Sequence, residues 1–186
     1  MPIHPSRATA LVLAACLAVP TTSAKAQSPA YGLPDDTALA AEIWAYLIAN
    51  RLAGPDQIHA FPYEGLEPHG LVLETFYDRA EINGHRDALV IKRNYGPEGI
   101  GIEAVANDFE GHLGAITIMF RNAPGYDPDN GNWFYAKFLP DGTLDKAPDG
   151  TAQAGRVAAG EDTGCIACHA GAPGEDYIFT TDMYGR

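Results

Sequence analysis

Cys165-Ile-Ala-Cys168-His169 sets two thiols and an imidazole within five residues of one another, 17 residues before the C-terminus. Two thiols three positions apart can each add to one vinyl group of a single porphyrin. The adjacent histidine then offers a ring nitrogen to the iron, and Cys-x-x-Cys-His is the attachment signature of a c-type haem. A thioredoxin-like redox pair uses the same two cysteines, but wants a strand before them and a helix after. Here a Gly/Ala/Asp-rich stretch precedes the pair and the chain ends soon after. A zinc site needs two further ligands of the right kind, and no second cysteine pair exists. The expectation is one covalent haem c near the C-terminus, held by Cys165 and Cys168, with His169 as the metal ligand.

Such attachment in bacteria takes place outside the cytoplasm, and the N-terminus agrees with that address. Arg7 precedes an apolar run from Ala8 to Val19, then a Pro-Thr-Thr break and Ala24-Lys25-Ala26. This pattern predicts a signal peptide over 1–26, leaving residues 27–186 as a single domain in the periplasm. The run is too short to span a bilayer, and no later segment approaches the necessary length. A second reading takes Cys16 as the lipid-bearing residue of a lipoprotein signal; it ranks lower because apolar residues continue past it and a good cleavage site follows. Without Arg7 and Lys25 the chain keeps 10 basic against 24 acidic side chains, a formal charge of −14. That field disfavours nucleic acid and anionic membrane surfaces as partners and suits a basic redox partner or a small neutral ligand. A homodimer is compatible with it.

The elements that must position the motif follow from periodicity. Asp35-Asp36-Thr37 offers N-cap chemistry, and Leu39, Ile43, Tyr46 and Leu47 recur at helical spacing until Gly54-Pro55, predicting one amphipathic helix over 37–53. Segments 71–77, 88–95, 100–106, 113–121 and 131–138 are rich in Val, Ile, Thr, Phe and Tyr and predict strands. Asn83-Gly84, Gly96-Pro97 and Pro140-Asp141-Gly142 supply turns, and 139–164 reads as a loop. The fold class expected is α+β, a mainly antiparallel sheet with an N-terminal helix and helices packed around it. In the Trp133-Phe134-Tyr135 strand, alternation sends one face to the core and leaves the other able to line a porphyrin.

Several blocks in this chain go together. They are His69-Gly70, Leu89 to Tyr95 with Lys92, Ala115 to Arg121, Gly125 to Pro128 leading to Gly131-Asn132-Trp133, and Gly164 to Thr180 with the haem motif. In them the chain resembles the cytochrome P-460 family and its relatives, the cytochromes c-prime-beta. The resemblance implies a mainly antiparallel β-fold, a proximal histidine at His169 and a distal site open to small ligands. Enzymatic members of the family oxidise hydroxylamine and carry a lysine bonded to the porphyrin; the matching lysine is Lys92. The distal position that carries a proton-accepting carboxylate in those members falls here on Thr117. A threonine hydroxyl can hydrogen-bond a ligand but is a poor general base near neutral pH. Met119, two positions along the same strand, shares that face, with core packing as its simpler role. The histidines at 59, 69, 85 and 112 lie in loop-like surroundings, and only His69 falls in a matched block.

Three function classes remain. An apolar pocket without an acid suits binding or oxidising nitric oxide. A hydroxylamine-oxidising enzyme with a Lys92-linked haem is the alternative, and a low-spin electron-transfer cytochrome is the third reading.

Overall fold

The computed structural model describes residues 1, 31–159, 162–174 and 176–179, so positions 2–26 of the signal peptide predicted over 1–26 lie outside the described residues. Helix α1 spans Pro34–Ala49, starting three residues earlier and ending four earlier than the periodicity predicted. Proline is favoured in the first helical position because its missing N–H has no intrahelical partner there, and the Asp36 carboxylate accepts the Leu33 N–H at 3.1 Å. At the other end Arg51 turns to φ 57°, and the N–H groups of Leu52 and Ala53 fold back onto the Leu47 carbonyl. Ala40, Ile43 and Leu47, spaced three and four apart, form its buried stripe.

Six antiparallel strands follow in a simple meander: β1 (Tyr63–Glu64), β2 (Val72–Ile82), β3 (His85–Tyr95), β4 (Leu113–Arg121), β5 (Trp133–Phe138) and β6 (Ala154–Gly155). β2 runs on past the predicted 77, through the charged stretch Asp78 to Glu81. The two-residue turn Asn83-Gly84, with φ 51° and 77°, matches the twist of the flanking strands and keeps them paired to their tips.

The segment predicted as a strand over 100–106 is instead helix α2, Ile102–Asn107, followed by the single turn α3, Phe109–His112. Its apolar residues mislead when read pairwise. Ile102 and Val105 share one face of α2, and with Phe109 at the start of α3 they pack on Val72 and Tyr95 at the sheet's end. The predicted loop 139–164 also carries order: Phe138 bridges Leu144, Lys146 bridges Ala152, and β6 pairs with β5.

Register divides the sheet into two faces. On one, Leu89 and Ile91 of β3, Ile116, Ile118 and Phe120 of β4, and Phe134, Ala136 and Phe138 of β5 form the main core with α1. On the other stand Val90, Lys92 and Asn94, then Thr117 and Met119, then Tyr135 and Lys137. In that register Lys92 lies opposite Thr117, Thr117 opposite Lys137, and Met119 opposite both Val90 and Tyr135. Among the described residues no helix is long and apolar enough to cross a membrane.

Candidate haem site

The second face of the sheet is one wall of a cavity of about 330 Å³. Its opposite wall is helix α4, Cys165–His169, which carries the whole motif in little more than one turn. Gly164 precedes it at φ 112°, where an added Cβ would collide with the Ala158 methyl, so only glycine fits the approach. Ile166 anchors the helix in a second core with Val90, Met119, Trp133, Tyr135 and Val157. Cys165 and Cys168 are free thiols at the cavity wall.

His169 is buried, and its Nδ1–H donates to the Tyr177 carbonyl at 2.7 Å. That bond fixes the ring and leaves Nε2 available to a metal, the arrangement expected of a ligating histidine. Burial holds its pKa below the usual histidine value. Tyr135 and Phe179 flank it, with ring centres 5.6 Å and 5.4 Å away.

The segment after the motif is tied to the turn before β5. Trp133 Nε1–H donates to the Asp176 carbonyl at 3.0 Å, and the Tyr177 hydroxyl donates to the Asp129 carbonyl at 3.0 Å. Gly131 takes a left-handed conformation against the Tyr177 ring, where a Cβ would stand 3.3 Å from it. The Gly131-Asn132-Trp133 and Asp176-Tyr177 blocks, distant in sequence, are thus two halves of one support beneath His169.

Lys92 and Thr117 both line the cavity. The Lys92 side chain is buried, and among the described residues it has no carboxylate partner. Desolvation therefore holds its pKa below the usual lysine value. Lys137 also reaches the cavity but is paired with Asp145 at 2.8 Å. Met119 lines the cavity as well as packing in the second core.

Three further residues enter the site, none of them named as a site residue from the sequence. Tyr135 brings a buried hydroxyl and Asn94 a buried side-chain oxygen, neither with a protein partner. His69, on the loop between β1 and β2, packs its Nδ1 against Thr117 Oγ1 at 3.3 Å, and Asn94 Nδ2 reaches the same hydroxyl at 3.5 Å. Burial, reinforced by Lys92, lowers the His69 pKa to about 4, so the ring is neutral at ordinary pH. His59, His85 and His112 do not reach the cavity: His59 lies beside Glu74, His85 caps Arg121, and His112 ends α3. Only the matched His69-Gly70 block gave any signal that one of these histidines differs from the rest.

These features fit a haem. A freed imidazole nitrogen, two cysteines on one helix, an apolar cleft and two unpartnered buried polar atoms on its wall are the groups a porphyrin would engage. They suit a redox dithiol less well, because burial pushes the Cys165 thiol up to about 11, away from the thiolate that exchange needs. Nor do the described residues hold a cluster of three or more His, Cys, Asp or Glu that would suit zinc. The family model for cytochrome P460 matches residues 81–180, which include strands β3 to β6 and the motif helix. Neither the curated proteins nor the solved structures include a match to this chain.

Proposed function

Because the chain belongs to the cytochrome P460 family, whose members hold a haem, we propose that it is an exported, periplasmic mono-haem c-type cytochrome that binds or oxidises nitric oxide. Cys165 and Cys168 carry the haem covalently, and His169 Nε2 is the axial ligand. When bound, the haem supplies a coordination site for a small molecule and a one-electron change at iron.

What the chain contributes is the choice of that molecule. The carrying observation is that none of the described residues lining the cavity is an aspartate or glutamate. Oxidising hydroxylamine releases protons along with electrons and calls for a positioned base; binding neutral nitric oxide moves no proton and needs none, so the acid-free wall supports binding ahead of oxidation. Val90 and Met119 give the wall an apolar surface that favours an apolar diatomic. His169 is held in one tautomer by the Tyr177 carbonyl, so its orientation does not depend on the ligand.

Hydroxylamine oxidation through a Lys92-linked haem is the second reading. The burial of Lys92 at the cavity wall without a carboxylate partner favours it, since the amine is held at the porphyrin edge and not drawn off by an ion pair. Anaerobic titration of the reduced, haem-loaded protein with nitric oxide separates the two. One equivalent per chain with a saturating spectral change, and no hydroxylamine-dependent reduction of a one-electron acceptor, is the expected result. Sustained hydroxylamine turnover would put the enzymatic reading first.

A further inference from the structure

The loop between β1 and β2 brings to the cavity an imidazole for which the reading above has no role. The His69 N–H bonds the Leu66 carbonyl at 3.3 Å, and the loop's neck is closed by Gly65 N–H on the Leu71 carbonyl at 2.9 Å. The His69 ring centre lies 6.1 Å from that of His169, with the planes at 74°. An imidazole nitrogen bonds a metal at about 2 Å with the ring centre about 1 Å further back, so two opposed imidazoles on one metal have centres roughly 6 Å apart.

Sheet register leads independently to the same spacing. His69 rests on Thr117 of β4, whereas His169 packs beside Tyr135, whose cross-strand partner is Met119. Thr117 and Met119 are successive residues on the same face of one strand, roughly 6–7 Å apart along it. The two imidazoles are therefore anchored on neighbouring layers of the sheet face. Each has its Nδ1 engaged by the protein, which leaves both Nε2 atoms for a metal.

We propose that His69 is the second axial ligand of the haem iron in the resting protein, opposite His169, and that an incoming diatomic gas must displace it. This rests on the haem reading above and adds a gate to it. Thr117 then acts as a positioning residue: it accepts His69 Nδ1–H and turns Nε2 toward the metal, instead of bonding the gas directly. The loop is built to let go. Leu66 stands exposed, and Gly70 at φ 98° gives a swivel next to the histidine.

The test is electron paramagnetic resonance and absorption spectroscopy of the ferric, haem-loaded protein, with haem content read by intact mass on the same samples. The unaltered protein should be low-spin, and His69→Ala should convert it to high-spin, with added imidazole restoring the low-spin signal. Thr117→Val should give a mixture of the two. Carbon monoxide should bind the reduced His69→Ala protein about tenfold more tightly or better, because the competent state no longer has to be opened. An unaltered protein that carries its haem but is already high-spin, or a low-spin spectrum unmoved by His69→Ala, overturns the role of His69 and leaves the haem assignment standing. Absence of covalent haem from the unaltered protein overturns both.

Discussion

Glu74 and Arg93 face each other across β2 and β3 with no exposed surface, and removing either should be the most damaging single change away from the site. Arg93 donates to Glu74 at 3.0 Å, to the Ile58 carbonyl at 2.7 Å and to the Leu52 carbonyl at 2.7 Å. Glu74 also accepts the Ala60 N–H at 2.5 Å and the Tyr95 hydroxyl, whose pKa is pushed far above the usual phenol value by burial and by that carboxylate. The pair thus binds the 52–60 segment to the sheet. Arg93→Met leaves a buried carboxylate uncompensated, and Glu74→Gln leaves a buried guanidinium. Each should cost about 3–5 kcal/mol, roughly 6–20 °C in midpoint temperature. Glu74→Leu combined with Arg93→Met removes both charges and should cost clearly less than the two single losses together. Thermal unfolding of the haem-loaded protein, followed by far-ultraviolet circular dichroism, measures all of these. Single losses below about 1 kcal/mol, or strictly additive losses in the double variant, would refute the reasoning.

Gly164→Ala should lower the yield of haem-loaded protein, because the new methyl meets Ala158 and displaces the helix that carries Cys165; haem absorbance per chain reads this. Trp133→Phe keeps an aromatic ring but loses the bond to the Asp176 carbonyl and leaves a void in a fully buried site, and should destabilise by more than about 1 kcal/mol in denaturant titration. The Asp145 pKa is depressed, first by its hydrogen bond to Lys137, so its contribution is present above the ordinary carboxylate pKa and fades as pH falls through the lower folded value. Asp145→Asn should accordingly cost less than about 1 kcal/mol at pH 7, given the pair's partial exposure, with the difference from the unaltered protein vanishing by strong acid.

Strands β3 to β5 were legible because short runs rich in Val, Ile, Thr, Phe and Tyr stand between turn residues, although burial on both faces leaves little alternation in them; the motif pointed to haem by its residue types and spacing. The 100–106 segment was misread because Ile100 and Ile102 alternate as in a strand, whereas the helical pair Ile102 and Val105 declares itself only against its partners Val72 and Tyr95. The 139–164 stretch hid its bridges because its pairing depends on β5 and not on its own composition. Lys92 and Thr117 were readable as a pair by resemblance, and register sets them directly opposite each other. His69 was not readable as a site residue. Its place follows from the closure of a loop between Gly65 and Leu71, a long-range consequence of strand pairing that leaves no mark in local spacing.

A single haem bonded to Cys165 and Cys168 underlies every role assigned to the cavity, and intact mass with peptide mapping of the purified protein after acid-acetone extraction tests it. One haem per chain should survive extraction and map to the peptide containing Cys165 to His169. A chain mass without haem, or haem that extracts freely, would contradict it.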